Sequence, residues 1–349
     1  MYIGNQLYKS NISKIITPVF ENMKNKNIFI TGSSGLVCSA LIDSLMFLNE
    51  NCNYQTHIWA IFVSEDDYIQ RFPSYLNNPY FHPLVHDIFN PFDAELVPDF
   101  MIHAASFTHP RLYAEMPVET MKLNLLGTIN ALEFAKKNLN CKSLFLSTME
   151  IYGENEAKDI YAEDDYGYIN IMTQRACYPV SKRAAETMCC CYAKEYNMNV
   201  MTARLGYIYG PTVQLSSSKA DVQFLNNALN NEDIVMKSNG EQKRSYCYVL
   251  DVVSALVTIL CKGVSAETYN IANDMGNVCL KDVAEIYAKL SGVNLKFELP
   301  LEKEQKGFSI VKNSTLSSKK IEALGWQAKF SFIEGFSHTY QIKKELQNA

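Results

Sequence analysis

Asn27-Ile-Phe-Ile-Thr31-Gly32-Ser-Ser-Gly35-Leu-Val-Cys38 is a short apolar run that breaks at a glycine and leads into a helical stretch, Ala40 to Leu48. Such a run, bounded by a turn signal, reads as a buried strand of a parallel sheet. The helix after it offers backbone N–H groups and the positive end of its dipole to an anion such as a pyrophosphate. Gly32 permits the tight turn, and Gly35 lets a phosphate approach the backbone closely. Cys38 takes the third position of the usual Gly-x-x-Gly-x-x-Gly spacing and is small enough for the helix to pack on the strand. Gly32, Ser34, Gly35, Leu36 and Val37 are therefore candidate cofactor-binding residues.

Working outward, His57-Ile-Trp-Ala-Ile-Phe-Val63 reads as a second strand, followed by Ser64 and the acids Glu65, Asp66 and Asp67. With acids and no Arg or Lys at this strand end, NAD is favoured over NADP. Phe81 to Ile88 ends a third strand; Asp87 can hydrogen-bond an adenine amine or simply cap the next segment, with Ile88 beside it. Phe100-Met-Ile-His-Ala-Ala-Ser106 is a fourth strand whose small end, Ala104, Ala105 and Ser106, lets a dinucleotide cross the sheet. Asn124 with Gly127 is expected to open the helix that follows, and Ser143 to Thr148 is a fifth strand that brings Ser147 and Thr148 to the ligand-binding edge. Strands alternating with helices from 27 to 205 specify an α/β fold with a doubly wound parallel sheet.

Cys177-Tyr178-Pro-Val-Ser-Lys182-Arg183 supplies the chemistry. On a helix the four-residue spacing sets the phenol of Tyr178 and the ammonium of Lys182 about 5–6 Å apart at Cβ. A cation at that range is expected to lower the phenol pKa from about 10 towards neutrality, making Tyr178 a general acid or base. Alone, a Tyr-x-x-x-Lys is weak in a chain with 21 tyrosines; its place after the glycine turn and the Ser147-Thr148 strand end gives it weight.

The 349 residues are 48% hydrophobic and 20% charged, with a net charge of -5, which describes a soluble globular chain. No basic stripe interleaved with aromatics marks a nucleic-acid surface, and no apolar run spans a bilayer. A cytoplasmic location is expected. None of the ten cysteines forms a Cys-x-x-Cys pair, no metal site is expected, and Cys189-Cys190-Cys191 on a helix point in different directions. Residues 1–25 read as an irregular arm packed on the body. Arg204 to Pro211 ends a sixth strand, Gln214 to Asp221 reads as a substrate loop, and Asn239 to Asp251 as a turn, a strand and a helix start. There Arg244 is a candidate for bidentate contact with a substrate phosphate, the alternative being a solvated arginine.

Thr31-Gly-Ser-Ser-Gly35, His103-Ala-Ala105, Asn124-Leu-Leu-Gly127-Thr128, Ser147 to Gly153, Tyr178 to Lys182, Tyr209-Gly-Pro211, Arg244 and Leu324-Gly-Trp326 together resemble the extended short-chain dehydrogenase/reductases, in particular the NAD-dependent nucleotide-sugar epimerases and dehydratases. The resemblance implies a Rossmann-type domain over 26–205 and a smaller, mainly substrate-binding lobe over 206–349 with some return to the sheet. It also implies a homodimer formed through the Tyr113–Lys137 and Tyr178 helices. The implied first step takes hydride from a sugar carbon, usually C4, to the nicotinamide while Tyr178 takes the hydroxyl proton. Lys182 would hold the nicotinamide ribose, Thr148 would orient the hydroxyl, and Thr108, Met149, Tyr207 and Arg244 would face the substrate.

Glu150, with Arg175-Ala-Cys-Tyr178, looks like the UDP-glucuronate decarboxylase group. Met149, however, stands where those enzymes and the dehydratases place Asp or Ser, and Tyr207 where the family usually has an asparagine. Decarboxylation or epimerisation leads, with 4,6-dehydration and 4-keto reduction behind. From a different class, a non-catalytic dinucleotide-binding sensor is the alternative.

Overall fold

The computed structural model describes residues 2–92, 95–107, 110–155, 157–298 and 313–348. The strands are β1 (Asn27–Thr31), β2 (His57–Phe62), β3 (Phe81–Val85), β4 (Phe100–His103), β5 (Lys142–Thr148), β6 (Ile160–Tyr161), β7 (Asn199–Leu205), β8 (Tyr207–Tyr209), β9 (Ile234–Met236), β10 (Lys243–Tyr248), β11 (Thr268–Ile271), β12 (Asn277–Cys279), β13 (Leu295–Phe297) and β14 (Asn313–Leu316). The helices are α1 (Gln6–Ile15), α2 (Leu36–Cys52), α3 (Glu65–Arg71), α4 (Pro110–Glu115), α5 (Pro117–Lys136), α6 (Cys177–Glu195), α7 (Ala220–Leu229), α8 (Val249–Lys262), α9 (Leu280–Ser291), α10 (Lys319–Glu322) and α11 (Phe332–Gln347).

Seven strands form the main sheet in the order β3-β2-β1-β4-β5-β7-β11, and all its pairings are parallel. The order reverses between β1 and β4, the switch point at which open α/β sheets leave a crevice beyond their carboxyl ends. Period-two alternation feeds two apolar layers. Phe29, Met101, Phe145 and Val200 face α5 and α6, while Ile28, Ile30, Leu144 and Met201 face α2 and α8. A smaller sheet, β12-β10-β14-β6 with β8 joined to β10, and the β13-β9 pair lie beyond the crevice. β11 and α8 come from the C-terminal half yet complete the main layers.

The first 25 residues are not an irregular arm. Asn5 caps α1 by accepting the Tyr8 N–H at 2.9 Å, and Tyr8, Ile12, Ile15 and Phe20 are fully buried. The apolar positions at helical spacing form one core-facing stripe. Tyr8 donates to Asp43 of α2 at 3.1 Å, and Asn11 donates to Tyr248 at 3.2 Å. The segment therefore belongs to the core. Replacing Ile12 by Ala should cost roughly 2–5 kcal/mol, as emptied core sites do; urea unfolding monitored by circular dichroism checks this, and a loss under about 0.5 kcal/mol would show a detachable arm.

Candidate active site

Gly32 has φ +70°, and a Cβ placed there would lie 2.9 Å from Ala104 C, Ala104 O and Ala105 N. The turn after β1 thus touches the end of β4, as only glycine allows. Thr31 fastens the contact. Its Oγ1 accepts the N–H groups of Ala104 (3.1 Å) and Ala105 (3.2 Å) and lies 2.8 Å from His103 Nδ1. His103 Nε2 lies 3.2 Å from Thr128 Oγ1, which donates to Asn124 O at 2.6 Å. Since Thr31 and Thr128 each have one proton to give, the chain assigns His103 as neutral and protonated on Nε2. Burial, with Lys182 nearby, pushes its pKa down to about 3.

The residues of the crevice fit a dinucleotide. Gly35 opens α2 with no side-chain cap on the helix N-terminus, leaving backbone N–H groups to an anion. Ser34, Leu36 and Val37 are half-buried on that lip, and Thr212 ties it to the second lobe by donating to Leu36 O at 2.8 Å. Ser147 Oγ is buried with no hydrogen-bond partner, an orphan that a ligand can satisfy. Ile88 packs where the Cβ of a residue at Gly127 would be, 3.0 Å away. Asp87 is exposed, and its carboxylate accepts the Phe89 N–H at 3.0 Å, so here it caps the next turn. The acids after β2 sit in the first turn of α3, where Ser64 and Asp67 form a capping box.

Asn124 joins the β4 end to α6. Ser106 donates to its Oδ1 at 2.8 Å, and its Nδ2 donates to Ser181 Oγ at 2.9 Å. Tyr178, on the first turn of α6, is 8% exposed, with the hydroxyls of Thr148 and Tyr113 beside its own. Thr148 and Tyr178 are thus brought together.

The expected lowering of the phenol pKa does not hold. Burial pushes Tyr178 up to about 12, and Glu150 adds to the rise, with Thr148, Tyr113 and Arg175 opposing it. The Lys182 ammonium turns away from the phenol, donating to Leu146 O at 3.0 Å and lying 4.7 Å from the Phe145 ring centre. Burial likewise lowers Lys182 to about 8. The four-residue spacing places the two side chains on one face but does not decide where a flexible lysine ends.

Around this pair stand groups distant in sequence. The Tyr113 ring stacks on that of Tyr178, with centres 4.3 Å apart and planes at 12°, and Arg175 lies 4.9 Å from the Tyr113 ring centre. Arg175 pairs with Glu150 at 2.6 Å. Arg183 holds the Glu150 turn through the carbonyls of Ile151, Tyr152 and Gly167. Buried Arg204 ties Glu186 (2.8 Å) to Tyr152 (2.9 Å) and to Glu163 O (2.7 Å). Met149 packs with Ile151, Tyr152, Tyr161, Ala272, Leu316 and Tyr207. Arg244, 5% exposed, lies 5.3 Å from the Tyr207 ring centre and donates to Lys243 O at 2.9 Å. Thr108 lies outside the described residues. No His, Cys, Asp or Glu cluster able to hold a metal occurs among the described residues.

Tyr113 and Arg183 were not singled out by sequence reasoning for these contacts. Nothing in the local pattern marks Tyr113, whereas Ser181 could be found at one helical turn from Cys177, to whose carbonyl it donates at 2.6 Å.

Residues 28–272 match the model of the NAD dependent epimerase/dehydratase family. The chain belongs to this family. It is similar to UDP-glucuronic acid decarboxylase 1 of Xenopus tropicalis, with 29% identity over 99% of this chain and 83% of that protein. UDP-glucuronic acid decarboxylase 6 of Arabidopsis thaliana is 29% identical over 89% of this chain and 87% of its own length. The fold is similar to dTDP-glucose 4,6-dehydratase from Bacillus anthracis in complex with NAD, with TM-score 0.76 and 21% identity over 93% of this chain and 98% of that one. It is also similar to UDP-glucuronic acid 4-epimerase from Bacillus cereus in complex with UDP-glucuronic acid and NAD, with TM-score 0.75 and 21% identity over 92% and 99%. NAD is the cofactor of this epimerase/dehydratase family member.

In the ligand-free protein, Tyr178 should stay protonated well past neutrality. The wild-type minus Tyr178→Phe difference absorbance at phenolate wavelengths should remain flat to about pH 10. A transition near pH 7 without NAD would contradict the burial argument.

Proposed function

We propose that the protein oxidises a nucleotide sugar at C4 and returns the hydride after the sugar has been changed, with removal of a C6 carboxylate as the leading outcome. The single observation that carries the redox step is the meeting of Thr148 and Tyr178 hydroxyls beside the Gly32 crevice. That the curated relatives given above are UDP-glucuronic acid decarboxylases supports the choice of substrate and outcome.

The glycine turn, Ala104 to Ser106, Ser147 and Lys182 would hold NAD, which when bound accepts and returns hydride at the sugar carbon. Tyr178 takes the proton of the C4 hydroxyl and later gives it back. Thr148 orients that hydroxyl and also accepts the Glu150 N–H at 3.2 Å, so the base and the carboxylate share one support. Lys182, with its pKa lowered to about 8, is a hydrogen-bond donor poised to follow a bound ribose.

Epimerisation is the second reading, favoured by Met149. A buried thioether between Thr148 and Glu150 offers no proton for chemistry at C5 or C6, and returning hydride to the opposite face needs none. Dehydration needs both a base and an acid there and is the least supported. A homodimer is proposed through α5 and α6; Val118, Met121 and Leu126 on the outer face of α5 are exposed, and an apolar stripe of that kind favours association.

Mass spectrometry of products from UDP-glucuronate and UDP-glucose, with NAD supplied, decides among these readings. Loss of carbon dioxide is expected from UDP-glucuronate, and an unchanged mass with altered sugar couplings would move the reading to epimerisation. Tyr178→Phe should lower kcat by about 10²–10⁴-fold, the contribution typical of a positioned acid or base, with NAD affinity retained; unchanged turnover would remove Tyr178 from the mechanism.

A further inference from the structure

Lys343, on α11, is a buried cation that the proposed reaction does not use. It is 7% exposed, and burial, with the charge of Arg71, pushes its pKa down to about 8. Its hydrogen bonds go to neutral oxygens on segments far apart in sequence, Val213 O at 2.7 Å and the Tyr2 hydroxyl at 2.7 Å. An apolar side chain fills such a site at less cost than a charge whose partners are neutral, so the value of Lys343 lies in what it joins. On one side is the turn after β8, where Thr212, next to Val213, donates to Leu36 O at 2.8 Å; Leu36 is the first residue of α2 and part of the cofactor lip. On the other side is the N-terminal segment. The Arg71 guanidinium lies 4.5 Å from the Tyr2 ring centre, Arg71 pairs with Asp43 of α2 at 2.6 Å, and Asn5 donates to Glu345 of α11 at 2.6 Å. The contacts close a loop that leaves α2 at its first turn, passes through Thr212, Lys343, Tyr2 and Arg71, and returns to the middle of the same helix. Tyr2 and Lys343 both lie outside residues 28–272, which the family model matches.

We propose that Lys343 is a positioning residue for the cofactor: with Tyr2 it clasps the turn at residues 210–213 against the lip at Leu36, and the clasp slows the escape of NAD from the crevice. The inference requires NAD at that lip and is independent of which sugar is changed. The backbone N–H groups that open α2 are directed to an anion, and Thr212, 3% exposed, faces them from the second lobe. The lip and that lobe part there only when the bond from Thr212 to Leu36 breaks. Gly210 restrains the turn at its other end, since it has φ +158° and a Cβ there would run into Val249 of α8. With Gly210 seated on α8 and Val213 held by Lys343, the turn has little freedom to swing Thr212 away. Losing Lys343 or the Tyr2 hydroxyl frees the turn and leaves the Gly32 turn as it is. Slow release suits a reaction that returns its hydride to the same sugar, because a cofactor reduced in mid-cycle must stay.

The rate at which radiolabelled NAD leaves the full-length holoprotein, chased with unlabelled NAD and followed by rapid filtration, tests the clasp. Lys343→Met should speed release roughly 10-fold and change the association rate less than about threefold, because a charge-assisted contact is lost from the closed state. Tyr2→Phe removes one hydroxyl and keeps the ring; it should speed release several-fold, and it carries the test if Lys343→Met does not fold. Thr212→Val should match Lys343→Met, and the double variant should release NAD less than about threefold faster than Thr212→Val alone, since the two residues act through one bond. Phe20→Leu changes a fully buried side chain and removes none of these hydrogen bonds, so it should lower the melting temperature and leave release at the wild-type rate. Release that tracks melting temperature through every variant, Phe20→Leu included, overturns the proposal. So does wild-type release by Thr212→Val, or a double variant in which the two single effects multiply. Product identity does not enter, so the clasp and the reaction assigned to Tyr178 stand or fall separately.

Discussion

One hydroxyl, that of Thr31, holds the ends of β1 and β4 together. It accepts two backbone N–H groups from Ala104 and Ala105, which draws the β4 end against a turn where Gly32 has no room for a Cβ. Because β1 and β4 flank the switch point of the sheet, this contact sets the floor of the crevice. His103 and Thr128 extend the bond chain to α5, and Asn124 and Ser181 extend it from α5 to the first turn of α6. A run of short hydrogen bonds thus connects the Gly32 turn to the first turn of α6, which carries Tyr178.

The same burial that makes the scaffold rigid sets the protonation states. His103 is kept neutral, Lys182 is brought close to neutrality, and Tyr178 is pushed up. Desolvation is the largest cause in each case, and it acts against the charged form every time. Desolvation thus keeps the Tyr178 phenol neutral where it stacks on Tyr113. Glu150 and Arg175 form the polar rim of that apolar stack, and Arg183 and Arg204 anchor the loop from which Glu150 projects.

Much of this was legible in the residues. A buried strand ending in Gly32, small residues ending β4 and hydroxyls ending β5 are local signals with local causes, and they place Gly32, Ala104, Ser147, Thr148 and Tyr178 around one crevice. What could not be read depends on partners far along the chain. Lys182 shares a helix face with Tyr178, yet its ammonium answers to Leu146 O on β5. Tyr113 lies 65 positions before the ring it covers, as the numbering shows. Asp87 has the residue type of an adenine ligand and the geometry of a turn cap. The N-terminal 25 residues show a helical stripe, but that its burial spans α2, α8 and α11 emerges only when those elements assemble. Periodicity reports a face; it does not report what the face meets.

On the proposed mechanism the Tyr178 phenol takes the proton of the C4 hydroxyl while the nicotinamide takes the hydride of C4, and both come back. It is tested most directly by supplying NAD and UDP-glucuronate deuterated at C4 and locating the label in the product by NMR. A product that keeps deuterium at C4, with no NADH accumulating, is expected. Label lost to solvent, or label left on released NADH, would contradict it.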